Sequence, residues 1–279
     1  MTRYQQLQAD LRTEPRAWLI TGVAGFIGSH LLEALLQLGQ RVTGLDNLST
    51  GTPRNLDDVR SRVDAAAWER FRFLKGSVTD IGLCREASAG ADFVLHQAGF
   101  VSVPLSIQDP VACHDTNATG TLNVLVAARD HSVRRIVLAS SSAVYGDDRR
   151  LPNVEEQTGR PMSPYGATKL MGERFGKAAA EAYGMTFVAL RLGWIQDGPN
   201  LPETLHDEWA RQMWLSNDDL VQLFEASIEA DLGECRFLVL NGMSNNEGMR
   251  WDLGPTVEWL DYQPEDDAFA EQDDVADEV

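Results

Sequence analysis

The stretch Ser163-Pro164-Tyr165-Gly166-Ala167-Thr168-Lys169 sets a phenol and an ammonium four residues apart, and on a helix those two side chains share a face. A free tyrosine titrates near 10, so a tyrosine that accepts protons at neutral pH needs a drop of roughly 3 units, about 4 kcal/mol of differential stabilisation. One cation about 4 Å away, at an effective dielectric near 20, supplies about that much. The pair therefore suits removal of a proton from a hydroxyl, provided a hydride acceptor lies beside it. Tyr-x-x-x-Lys alone is equally what a solvated amphipathic helix face displays. The residues upstream decide between the two.

Thr21-Gly22-Val23-Ala24-Gly25-Phe26-Ile27-Gly28 follows a short apolar run and opens a helical pattern, the setting a glycine-rich phosphate loop requires. Gly22 permits the tight turn and Gly25 lets backbone amides approach a pyrophosphate. Gly28 lets helix and strand pack closely, and Phe26 and Ile27 begin the helix whose N-terminus faces the anion. Asp46, 18 residues past Gly28 and followed by Asn47, ends the next strand, where a carboxylate accepts both hydroxyls of a ribose. An acidic group there repels a 2′-phosphate, so the cofactor reads as NAD rather than NADP. The plainer alternative is a turn residue before Asn47. Ser77-Val78, Gln97-Ala98-Gly99 and Ser140-Ser141-Ser142 follow later strands and fall at the same end of the sheet.

The pattern predicts strands at 17–21, 41–46, 71–75, 92–96, 134–140 and 186–191. Helices are expected near 4–11, 26–38, 54–69, 80–88, 111–130 and 165–183. Strict alternation makes the fold α/β, a Rossmann-type doubly wound parallel sheet. Beyond Arg191 the pattern is irregular, with a helix near 217–230, a strand near 236–240 and a helical turn near 255–260. We therefore expect an NAD-binding domain at 1–190, a small substrate-binding lobe at 191–263 and an acidic, disordered tail at 264–279.

Charge changes at the same place. Residues 1–199 balance at 21 acidic and 21 basic side chains, whereas residues 200–279 hold 21 acidic groups against Arg211, Arg236 and Arg250. Such an acidic segment excludes nucleic acid and anionic membranes as its partners. Cys84, Cys113 and Cys235 are scattered, and the five histidines show no ligand spacing, so no metal centre is expected. No apolar run reaches about 18 residues, and a soluble, cytoplasmic protein is the expectation. Arg211 is a candidate for an anionic sugar group, because a buried anion favours a guanidinium fork.

Taken together, the glycine spacing, Asp46, Ser141 and Tyr165-x-x-x-Lys169 resemble the extended short-chain dehydrogenase/reductases, the NAD-dependent epimerase/dehydratase family. Residues 1–190 look most like UDP-N-acetylhexosamine C4-epimerases. They share the leading helix, Gly44-Leu45-Asp46-Asn47, Arg54-Asn55-Leu56-Asp57-Asp58-Val59 and Ser102-Val103-Pro104. The resemblance implies Tyr165 as base, Lys169 as the group that holds the nicotinamide ribose and lowers the tyrosine pKa, and Ser141 as orienter of the substrate hydroxyl. It adds Ser142 and Ser102 as substrate contacts and a homodimer formed by the helices at 111–130 and 165–183.

The departures are equally informative. Nucleotide-sugar epimerases usually read Arg-Tyr/Phe-Phe-Asn after the next strand; here the chain reads Arg191-Leu192-Gly193-Trp194, so the asparagine is missing and Gly193 enters as a substrate contact. Ser77 stands where the family often has an aspartate for adenine. Residues 190–265 are instead similar to uronate dehydrogenases and haloarchaeal NAD-dependent glucose-6-phosphate dehydrogenases, which suggests a recombinant or engineered chain. The reading is an NAD-dependent oxidoreductase acting on a sugar hydroxyl, with a small sugar as substrate. The alternatives are a UDP-hexose or UDP-N-acetylhexosamine C4-epimerase with tightly bound NAD, and a non-catalytic NAD-binding protein.

Overall fold

Seven apolar runs pair into one parallel sheet: β1 (Ala17–Thr21), β2 (Arg41–Asp46), β3 (Phe71–Lys75), β4 (Phe93–His96), β5 (Arg135–Ser141), β6 (Thr186–Leu192) and β7 (Phe237–Gly242). Their spatial order is β3-β2-β1-β4-β5-β6-β7. The computed structural model describes residues 3–148, 152–155, 159–196 and 198–270. The central strands are buried along nearly their whole length, as a sheet covered on both faces demands.

Twelve helices accompany them among the described residues: α1 (Arg3–Thr13), α2 (Phe26–Gln37), α3 (Pro53–Arg62), α4 (Ala65–Trp68), α5 (Ile81–Ser88), α6 (Val103–Gln108), α7 (Pro110–His114), α8 (Gly120–Asp130), α9 (Pro164–Tyr183), α10 (Glu208–Gln212), α11 (Asn217–Glu229) and α12 (Gly254–Leu260). Sequence chemistry sets the limits of α9 closely. Ser163 accepts from the Gly166 amide at 3.1 Å, Pro164 occupies the first turn, and Gly184 ends the helix at φ +68°.

Three expectations need correction. The helix expected over 111–130 is interrupted by a π-helical turn, Asp115–Thr119. Asn117 within it accepts from the Phe100 amide at 2.6 Å and donates to Thr168 Oγ1 at 3.0 Å, so tertiary hydrogen bonds win over the regular ladder. The lobe expected at 191–263 is not a separate body. β7 pairs with β6 from Phe187↔Phe237 to Leu192↔Gly242, and one apolar core runs from Leu7 through α2 to α11 and Tyr262. An apolar strand after an amphipathic helix extends a sheet at lower cost than it founds a second core. The tail also starts later than expected. Glu265 and Asp266 amides reach the Asp219 carboxylate, and the Ala268 amide reaches Asn246 Oδ1 at 3.0 Å, so 264–270 is docked; 271–279 lies outside the described residues.

Candidate active site

The strand order reverses between β1 and β4, and an open parallel sheet binds ligands at the carboxyl ends flanking such a reversal. A cavity of about 370 Å³ lies there. Gly22, Gly25, Phe26, Ile27, Gly28, Asp46, Asn47, Ser77, Val78, Gln97, Ala98 and Gly99, twelve positions singled out from sequence, all line it. The loop is tight: a Cβ on Gly28 would sit 2.2 Å from the Gly22 carbonyl oxygen, and one on Gly22, at φ +72°, would sit 2.6 Å from the Ala98 nitrogen. The helix α2 opens at Gly25 without a side-chain cap, which leaves its first-turn amides for an anion.

Two observations test whether these residues suit a dinucleotide. Among the described residues neither the oxygen nor the nitrogen of the buried Gln97 amide has a partner, at a point common to this cavity and the next. A bound polar ligand is what such an orphan requires. Asp46 is 7 % exposed; its Oδ2 accepts from the Ala24 amide at 2.9 Å and its Oδ1 from the Leu48 amide at 2.7 Å. The carboxylate is thereby fixed beside the glycine loop with further acceptor capacity for a ribose diol. The residues fit NAD. Ser77 spends its hydroxyl locally, 2.8 Å from Thr79 Oγ1. Asp46→Ala should weaken NAD by about tenfold or more, the scale of a charge-assisted hydrogen bond, and raise the relative use of NADP. An unchanged NAD to NADP preference in direct binding titrations would count against Asp46 as the ribose ligand.

A second cavity, about 640 Å³, joins the first along Ile27, Gln97, Val101 and Ile195. Tyr165, Lys169, Ser141, Ser142, Ser102 and Gly193 line this one. Ser141 ends β5; its hydroxyl accepts from the Ala143 amide at 3.1 Å and interacts with the phenol. Lys169 donates from Nζ to the Ala139 carbonyl at 2.7 Å and lies 5.7 Å from the Tyr165 ring centroid. Gly193 is held 2.9 Å from the Gly242 carbonyl, and a Cβ there would meet the Met213 carbonyl at 2.0 Å. Glycine is required at 193 by packing.

The electrostatics correct one expectation. Burial raises the Tyr165 pKa above its ordinary value, and the hydrogen bond from Ser141 is what opposes that rise. Lys169 is not among the causes of that shift. Burial pulls the ammonium itself down to about 8, and its proton is shared with the Ala139 carbonyl rather than aimed at the phenol oxygen. Two further differences concern the substrate wall. Arg211 is not among the residues lining the cavity. Its Nε reaches the Leu205 carbonyl at 3.4 Å, and its guanidinium lies 5.8 Å from the Phe269 ring centroid. Arg250 lines the cavity instead, with Tyr145, Trp194 and Trp209, none of which was singled out as a contact from sequence. For the two tryptophans the sequence signal was the concentration of that residue beyond Arg191; Tyr145 and Arg250 carried none.

Behind the site, Tyr165, Lys169 and Glu173 recur every fourth residue on α9. Glu173 accepts from Arg191 Nε at 3.0 Å, from Arg191 Nη2 at 2.9 Å and from Ser140 Oγ at 2.7 Å, and the pair is 3 % and 2 % exposed. This fork ties α9 to β5 and β6.

A reversed parallel sheet, a glycine loop at its first crossover and a serine, tyrosine and lysine converging beside it define a short-chain dehydrogenase/reductase. Residues 18–204 match the model of the NAD dependent epimerase/dehydratase family, and the chain belongs to that family. It is 36 % identical over 174 residues to a putative UDP-glucose 4-epimerase of Methanocaldococcus jannaschii, covering 62 % of this chain and 54 % of that one. The chain spans about half the length of the curated relatives it matches. Among solved structures it is similar to a UDP-galactose 4-epimerase, with a TM-score of 0.71 and 27 % identity over 89 % of this chain and 93 % of that one. It is equally similar to the uronate dehydrogenase of Agrobacterium tumefaciens, with a TM-score of 0.71 and 26 % identity over 91 % and 85 %. Among the described residues no helix is long and apolar enough to cross a membrane.

Proposed function

We propose that Tyr165 removes the proton from a sugar hydroxyl while the hydrogen on the same carbon leaves as hydride. NAD, when bound, supplies the hydride acceptor. The convergence of Ser141, Tyr165 and Lys169 on a cavity continuous with the dinucleotide site carries this reading. Ser141 orients the hydroxyl and Tyr165 takes its proton. Lys169, anchored on Ala139, fixes the height of the ring and of whatever lies beside it.

For the net reaction, C4 epimerisation of a UDP-hexose is the reading that the relatives favour, because they are predominantly UDP-glucose 4-epimerases. In that case the transient ketone turns over within the cavity and takes its hydride back on the other face. One observation favours the second reading, net dehydrogenation of a small sugar. After β6 the chain continues with Gly193 and Trp194, whose amide donates to the Met213 carbonyl at 2.6 Å, in place of the asparagine expected of a nucleotide-sugar epimerase. Purified protein should be mixed with NAD and, separately, with UDP-glucose, glucuronate and glucose 6-phosphate. Interconversion of UDP-sugars without accumulating NADH supports the epimerase; NADH accumulating with a small sugar supports the dehydrogenase. Neither outcome with NAD firmly bound would refute both.

A further inference from the structure

Asn153 and Arg250–Trp251, two segments distant in sequence, line the inner cavity together. Asn153 and Trp251 form a parallel bridge, with the Asn153 amide on the Arg250 carbonyl at 2.7 Å and the Asp252 amide on the Asn153 carbonyl at 3.0 Å. Asn241, at the end of β7, clamps both segments: its Nδ2 donates to the Asn153 carbonyl at 3.1 Å and to the Asp252 carbonyl at 3.0 Å. The mount is rigid, yet two of its side chains are unsatisfied. Asn153 is 8 % exposed and Trp251 6 %, and among the described residues neither Asn153 Oδ1 nor Trp251 Nε1 has a hydrogen-bond partner.

Buried polar atoms without partners weaken a fold, and two of opposite polarity on paired residues call for a ligand group that answers both. One is an acceptor and the other a donor. A hydroxyl is such a group, since it accepts from an indole N–H while donating to an amide oxygen. The surroundings suit the carbon skeleton of a sugar ring: Trp194 and Trp209 also line the cavity, and Trp209 stands edge-on to Trp251 at 6.5 Å between ring centroids.

We propose that Asn153 and Trp251 form a subsite that reads one ring hydroxyl of the substrate sugar, and so determine which sugar is presented to Tyr165. This rests on the reading that a sugar fills the cavity; it assigns the specificity to a wall outside the serine, tyrosine and lysine. The mechanism of discrimination is asymmetric. A sugar lacking that hydroxyl leaves both atoms unpaired inside the protein and is rejected, whereas a bulkier substituent elsewhere on the ring is tolerated.

The test measures binding apart from turnover. NAD-loaded Tyr165→Phe protein is titrated calorimetrically with UDP-glucose, glucuronate and glucose 6-phosphate, and the sugar that binds best is replaced by its monodeoxy analogues. Adding Trp251→Phe, which keeps the ring and removes the N–H, or Asn153→Ala should each weaken that sugar about tenfold, with NAD affinity unchanged. One deoxy analogue should lose affinity in the Tyr165→Phe parent and lose little more in either double variant. Sugar affinities equal to the parent, or the same deoxy penalty in parent and variants, would overturn the subsite. Altered NAD affinity in Trp251→Phe would mark a folding defect, and Asn153→Ala then decides alone. Tight sugar binding that depends on Asn153 and Trp251, without turnover in the unsubstituted protein, refutes the oxidoreductase reading and leaves the subsite standing. No binding of any sugar overturns both.

Discussion

Tyr165→Phe should lower turnover by about 10²–10⁴-fold, the range a positioned general base contributes, and leave NAD affinity where it was. The substitution removes one oxygen. The ring still fills its place 5.7 Å from Lys169, and the residues lining the dinucleotide cavity do not include position 165. What is lost is the phenol oxygen and its interaction with Ser141. Because burial holds the Tyr165 pKa above its ordinary value, the base form grows as pH rises, so kcat/KM for oxidation should climb with pH in the unsubstituted enzyme. The residual rate of the variant should be flat over the same range. Lost NAD binding, or a variant that keeps the rising profile, would place the base elsewhere.

Breaking the Glu173–Arg191 fork should be the most costly single change to stability. Glu173→Ala leaves a guanidinium that is 2 % exposed with no carboxylate, and removing one partner of a buried pair costs about 3–5 kcal/mol. For a chain of this size that corresponds to a Tm lower by roughly 10 °C. Arg191 would retain Tyr145, whose ring centroid lies 4.7 Å from it, which tempers the loss without cancelling it. Replacing both partners, Glu173→Leu with Arg191→Met, should recover most of the Tm, because apolar side chains of similar volume spare the desolvation of two charges. Calorimetric melts of the three proteins check this. A Tm shift under about 2 °C in Glu173→Ala would mean that water reaches the pair.

How far the sequence disclosed this arrangement depended on the range of the interactions involved. The glycine loop, Asp46 and the ends of α9 were legible because each follows from chemistry within a few residues: a tight turn, a ribose-facing strand end, a serine cap, a terminal glycine. The interruption at Asp115–Thr119 was not, since Asn117 is drawn out of the helix by Phe100 and Thr168, residues 17 and 51 positions away. The same applies to the cavity wall at Trp251. Asn153 meets Trp251 across 98 positions, and nothing local to either marks it as a cavity residue. Arg211 looked suited to an anion by type, but its side chain is held by Leu205 and Phe269, while Arg250 is carried to the cavity by that bridge. The phenol pKa went astray for a related reason. Spacing on a helix fixes which side chains are neighbours, not how deeply they are buried.

The spacing along α9 also bears on where this enzyme can yield. The helix packs tightly at its glycines: a Cβ on Gly176 would meet the Phe187 ring of β6 at 2.3 Å, and one on Gly166 the Ala143 carbonyl at 2.6 Å. With Glu173 locked by three hydrogen bonds a turn below Lys169, the proposed base sits on a helix pinned to the sheet, and such a segment should be among the last to open. Denaturant should therefore extinguish proton transfer only when the whole chain unfolds, and adaptation to a new sugar has to come from the wall at Asn153 and Trp251, which can be remodelled while the catalytic rail stays in register.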